Sequence, residues 1–242
     1  MKSREGLWKL SPSGLYSFED CKACFWAENN IGRHPFTLPL RLNDAMDSRL
    51  KSRYDKFRKA GDLPPELAKR IKGIKLFPDL KQLEEWRNNK TALQCIDPKL
   101  GYMLEGKIDE LFVNDKEEFV IADYKSSGDP PKDDKQKYYR LQLAAYAYMF
   151  LKKGYKVANK AYLLHYYTKD RKDPSLSMKL LFHPDEVAID LEGFQKKIKE
   201  IIVLLNGPYL GFKENCYRCN WLQKRINLDS VGMLRIAQEL TD

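Results

Sequence analysis

Residues 106–125 read GKIDELFVNDKEEFVIADYK, and this stretch decides how the rest of the chain is organised. Ile108, Leu111, Phe112 and Val113 precede a polar break at Asn114, Asp115, Lys116 and Glu117; Phe119, Val120 and Ile121 follow it. Apolar and β-branched residues on either side of a polar break predict a β-hairpin. With residues 115–117 as the loop, counting outward sets Asn114 opposite Glu118 and Asp109 opposite Asp123. Side chains alternate along a strand, so Lys125 shares the face of Asp123. Like charges placed opposite one another destabilise a sheet, and a divalent cation would offset them. A lysine beside such an ion would stabilise developing negative charge or orient an attacking water. The same charges would also suit an exposed, solvated hairpin.

The chain around the hairpin has 242 residues, 43% of them hydrophobic, which is enough to build one large domain over residues 1–242. Its net charge of +9 fits a polyanionic partner. No apolar run approaches the ~20 residues of a membrane span, and the N-terminal MKSREGLWKLSPSG has no signal-peptide core, so a cytoplasmic location is expected. Five cysteines are too few for a disulfide scaffold and read as thiols or metal ligands.

From the N-terminus, Ser11-Pro12-Ser13 starts a helix that carries Cys21 and Cys24, and a second helix is expected from Leu42 to about Lys59. Residues 66–95 read as short helical or irregular pieces, including 80–86. Beyond the hairpin, residues 133–153 predict a helix stopped by Gly154, 161–168 and 177–182 predict strands, and 191–205 predicts an amphipathic helix. The expected architecture is α/β: a mixed sheet with helices packed on it and a helical insertion at about 45–95.

A second CxxC, Cys216 and Cys219, stands near the C-terminus. Four thiolates at this spacing suit a tetrahedral metal or an iron–sulfur cluster, which would join segments 15–28 and 210–225 across a very long loop. Cys95 is left over as a buried free thiol. Gly101 to Lys107 matches the phosphate-loop pattern GxxxxGK, but Ile108 cannot reach a magnesium ion and a strand follows, so nucleotide binding is not expected. Lys132, Lys135, Lys137 and Arg140, interleaved with Tyr138 and Tyr139, suit a single-stranded nucleic-acid track or a solvated helix face. His34, His165 and His183 form no ligand pattern, and His165 reads as structural.

In order and spacing, G-x-I-D at 106–109, D-Y-K at 123–125 and Q-x-x-x-Y at 142–146 resemble the PD-(D/E)XK nuclease superfamily. The likeness is closest to its RecB-nuclease-like branch, which includes the CRISPR-associated RecB-like exonucleases, and runs from about Ser11 to Trp221. It implies a restriction-endonuclease-like core and Mg²⁺- or Mn²⁺-dependent hydrolysis of DNA, with single-stranded ends as the expected substrate. Asp109 and Asp123 then match the metal-binding carboxylates, the main-chain carbonyl of Tyr124 completes that site, and Lys125 matches the catalytic lysine. Gln142 and Tyr146 match the pair that contacts the substrate strand or the lysine. Relatives carry an upstream His or Glu on the metal; here Asp47 occupies that place, with Asp44 as the alternative. Relatives also often hold a [4Fe–4S] cluster through one N-terminal and three C-terminal cysteines, so an iron–sulfur centre on Cys21, Cys24, Cys216 and Cys219 is expected, and the two-plus-two arrangement leaves Zn²⁺ open. The chain carries no helicase motif, so unwinding would need a helicase, and CRISPR or repair proteins are the implied partners. An inactive nucleic-acid-binding module and a thiol-based redox or metal sensor are the alternatives.

Overall fold

The computed structural model describes residues 2–3, 5–32, 41–131, 136–168 and 179–224. His34, Lys132, Lys135, residues 177–178 of one expected strand and the start of the helix expected from 133 lie outside them.

Among the described residues eight strands form two sheets. A small sheet joins β1 (Trp8–Leu10), β3 (Leu93–Asp97) and β4 (Tyr102–Gly106) in the order β1-β4-β3. The larger sheet comprises β2 (Ile74–Leu76), β5 (Glu110–Asn114), β6 (Phe119–Ser127), β7 (Lys160–Thr168) and β8 (Leu180–Ala188), paired in sequence order. Only β6 and β7 run parallel within it, and helix α6 (Gln136–Lys152) makes the crossover between them.

The hairpin takes the counted register. Glu110 pairs with Ala122 and Val113 with Phe119, and the Asn114 N–H donates to the Glu118 carbonyl at 3.1 Å. The Asn114 side chain fixes the loop by accepting from the N–H groups of Lys116 and Glu118, while Glu117 takes a left-handed conformation at φ 58°.

Strand alternation sorts the sheet's side chains into two cores. Leu111, Ile121 and Leu163 face α6 and α7 (Leu191–Asn206). Phe112, Val120, Ala122, Tyr124 and Leu164 face the opposite side, where Leu50 and Tyr54 of α3 (Arg41–Ala60) pack. Residues 143–150 of α6 are all buried, because this helix is enclosed between the two sheets, α7 and the N-terminal segment. Helix α7 is instead amphipathic, with Phe194, Ile198, Ile201, Ile202 and Leu205 on its inner stripe and Asp190 capping its start.

Three expectations change. The single helix read through Cys21 and Cys24 is two, α1 (Tyr16–Asp20) and α2 (Lys22–Asn30), because Cys21 is extended at φ −155°, ψ 110°. The region read as a helical insertion holds α3, α4 (Pro65–Ala68) and α5 (Leu80–Arg87), but also β2 and β3, which add strands to each sheet. The strand expected at 177–182 extends to Ala188.

Candidate active site

Asp123 sits mid-strand on β6, facing α6, and is buried. Gln142 on α6 donates its Nε2 hydrogen to Asp123 Oδ1 at 2.8 Å. Lys125, two residues along the same face, brings its Nζ to 2.5 Å from Asp123 Oδ2. That contact lacks hydrogen-bond direction, so Oδ2 is a buried oxygen held by charge alone. Burial pushes the Asp123 carboxyl up to about 6, against the lowering influence of Lys125. Burial would pull Lys125 down, but the adjacent Asp123 outweighs it and keeps the ammonium charged. The ammonium also lies 4.1 Å from the centre of the Tyr139 ring.

Asp109 lies one residue before β5, where the ladder register extended by one places it opposite Asp123, midway along β6. Its Oδ2 accepts from the Tyr124 N–H at 3.1 Å, and its main-chain carbonyl accepts from Arg87 Nε at 2.9 Å. Its Oδ1 meets Lys51 Nζ at 3.1 Å, and the same ammonium meets Asp47 Oδ2 at 2.7 Å. Asp47 is thus joined to the Asp109 carboxylate through a lysine, whereas Asp44 is exposed. Burial works against the Lys51 charge, and Asp109 and Asp47 more than restore it.

Tyr146, one turn beyond Gln142, donates to the Lys107 carbonyl at 2.5 Å. The neighbouring Gly106 must be glycine: a Cβ there would stand 2.7 Å from Pro12 Cδ and 3.1 Å from the Tyr146 ring. Asp109, Asp123, Lys125, Gln142 and Tyr146 all line one open cleft of about 390 Å³.

Behind this cleft, on the far face of the sheet, Glu110 is fully buried. It receives Arg58 at 2.6 Å, Arg87 at 3.1 Å, the Tyr124 hydroxyl at 3.0 Å and its neighbour's N–H. Arg87 also chelates Asp55 with both contacts at 2.9 Å. Burial raises the Glu110 carboxyl, and the two guanidiniums oppose that. Sequence reading missed Lys51, Glu110, Arg58 and Arg87. The only signals were Lys51 four residues after Asp47 and a glutamate in an apolar strand.

Other expectations meet mixed outcomes. Tyr139 lies under Lys125, and Tyr138 packs edge-on against Tyr16 at 5.8 Å. His165 pairs in register with Lys125, and the Asp185 carboxylate bridges His165 at 3.0 Å and His183 at 2.9 Å. Tyr102 to Gly106 forms β4.

Cys21 and Cys24 from the N-terminal part and Cys216 and Cys219 from the C-terminal part converge, with all four Sγ atoms within 4.8 Å of one another. Burial raises Cys24 strongly, so its thiolate calls for a cation. Cys95 is buried elsewhere, in the core between the sheets and α6.

A family model of the PD-(D/E)XK nuclease superfamily matches residues 38–223. This chain belongs to the PD-(D/E)XK nuclease superfamily. Its mixed sheet with flanking helices is the restriction-endonuclease-like core of that superfamily. Among solved structures it is similar to the crystal structure of SSO0001, at 15% identity and a TM-score of 0.41, over 87% of this chain and 81% of that one. No curated protein matches it. Superfamily members use divalent metals, and the donors here suit one: two carboxylates face one another, and one oxygen of the buried Asp123 has no directional hydrogen bond. No helix among the described residues is long and apolar enough to cross a membrane.

Proposed function

We propose that this PD-(D/E)XK protein is a Mg²⁺- or Mn²⁺-dependent deoxyribonuclease of the RecB-like branch, one domain long, acting on single-stranded ends. The observation that carries the proposal is the meeting of Asp109, Asp123, Lys125, Gln142 and Tyr146 in one cleft. Asp109, Asp123, the Tyr124 carbonyl and Asp47 would hold the metal. Bound there, such an ion would supply water activation and charge neutralisation at the scissile phosphate.

The remaining work falls to the chain itself. Lys125 presents a fixed ammonium to the developing phosphate charge, because Asp123 and the Tyr139 face hold it in place. Gln142 fixes the Asp123 carboxylate from the other side. Tyr146, anchored on the Lys107 carbonyl, borders the cleft where the substrate strand would lie. The +9 net charge favours a nucleic-acid partner, and a helicase or a CRISPR or repair protein would supply opened ends. The cysteine centre is structural and lies outside the hydrolytic step.

A single-stranded oligonucleotide and its circular counterpart, each incubated with Mg²⁺ or Mn²⁺, test the end preference. The linear strand alone should be degraded, with label released from one terminus first. Equal cutting of the circle would contradict it.

A further inference from the structure

We infer that Cys21, Cys24, Cys216 and Cys219 hold a single tetrahedral zinc ion, and that their geometry does not fit a four-iron cluster. The inference does not depend on the nuclease reading.

The argument starts from spacing. Cys21 and Cys219 have their sulfurs 3.7 Å apart, Cys24 and Cys216 3.7 Å, and Cys24 and Cys219 3.4 Å, with every pair inside 4.8 Å. Four sulfurs each about 2.3 Å from one central ion lie at the corners of a tetrahedron with edges of about 3.8 Å. The observed separations match that edge. In a four-iron cluster each thiolate binds a different iron, so the iron's own distance from the cluster centre is added to every Fe–S bond. The sulfurs would then stand roughly 6 Å apart, well outside the observed spread.

Disulfides fit no better. A disulfide brings two sulfurs to about 2.05 Å and pairs each with one partner. Here Cys24 approaches both Cys216 and Cys219, as it would around a shared central ion.

The backbone supports the same reading. The extended conformation of Cys21 ends α1 and begins α2, which places Cys24 in the first turn after it. Cys216 likewise immediately precedes the helical residues 217–224, with Cys219 in their first turn. Each pair is therefore presented by the same local device, a non-helical residue followed directly by a helical turn. Cys21, Cys24 and Cys219 are buried, which suits a closed structural site of four protein ligands. A tetrahedral all-sulfur site selects zinc or iron, and zinc is the occupant of closed structural sites of this kind. The ends of the chain are also tied independently of the ion, through Trp8 Nε1 to Asn206 Oδ1 at 3.0 Å and Trp26 Nε1 to the Gly207 carbonyl at 2.8 Å.

The test is metal and sulfide analysis of the full chain, purified without oxygen from cells supplied with both zinc and iron, together with zinc-edge X-ray absorption. The expected result is about one zinc per chain, no acid-labile sulfide, no visible absorption band, and four sulfur neighbours at about 2.3 Å. Iron and sulfide in near-equal amounts, about four of each per chain, would overturn the inference. So would iron without sulfide, or a metal-free protein in which only Cys95 reacts as a free thiol. Protein stripped by a chelator and offered either zinc or iron with sulfide gives a second readout. Zinc alone should restore the melting temperature; restoration by the iron–sulfide mixture alone would contradict the assignment. Cys219→Ser should lose the zinc and Cys95→Ser should keep it. If Cys219→Ser does not fold, the wild-type stoichiometry and X-ray absorption still decide.

Discussion

Gln142 and Asp123 are joined by one buried hydrogen bond of 2.8 Å that ties the crossover helix to the central strand. It occupies Oδ1 and leaves Oδ2 to Lys125. Gln142 is in this account a positioning residue, since it orients a metal-binding carboxylate through its amide. Gln142→Ala should lower kcat about 10- to 100-fold, the usual cost of losing a group that orients a ligand. KM for the DNA should change little, and the metal concentration for half-maximal activity should rise. A purely structural role would instead lower the melting temperature with kcat per folded molecule intact.

Lys51 stands between Asp47 and Asp109, at 2.7 and 3.1 Å. Its ammonium supplies the positive charge that a divalent ion would bring, so the two compete. Lys51→Met should tighten Mn²⁺ binding about 3- to 10-fold, a Coulombic gain discounted for partial exposure. Asp47→Asn should weaken it. Calorimetric titration of both variants checks this, and an Asp47→Asn protein with unchanged Mn²⁺ affinity would remove Asp47 from the ligand set.

The Glu110 cluster predicts a stability effect. Glu110→Ala strips the carboxylate from Arg58 and Arg87, leaving Asp55 alone to balance two buried guanidiniums, and should cost about 3–5 kcal/mol in urea unfolding. Because Arg87 also holds the Asp109 carbonyl, the folded fraction should show weakened metal binding too.

Burial lowers the pKa of His165, although Asp185 pulls the other way. The folded state therefore binds fewer protons than the unfolded chain just below pH 6.5, so the contribution of His165 to stability is intact above the unfolded pKa and lost as pH falls through it. Melting temperatures between pH 5 and 8 should show a smaller acid loss for His165→Gln than for wild type. Identical slopes would remove His165 from the acid response.

The hairpin register was legible because it needs only counting: residues 115–117 make the loop, and every pair outward follows. The break at Cys21 was not, since apolar residues on both sides keep helical spacing while the backbone between them is extended. The second sheet was hidden because β1 has three residues and β3 and β4 have five each, too few to set a period. Glu110 and Lys51 became visible only in three dimensions. Glu110 meets Arg58 of α3 and Arg87 of α5, and Lys51 of α3 meets Asp109 beside β5; no local pattern specifies the placement of those helices against the hairpin.

The central claim is that Asp123 and Lys125 serve metal-dependent hydrolysis. Cleavage of end-labelled single-stranded DNA, with Mg²⁺, with Mn²⁺ and with EDTA, by wild type beside Asp123→Ala and Lys125→Ala, tests it most directly. The account predicts cleavage by wild type with either metal, none with EDTA, and a loss of at least about 100-fold in both variants, on the scale of removing an electrostatic stabiliser. Folded wild-type protein that binds DNA but cuts under none of these conditions, or variants that cut as fast as wild type, would contradict it.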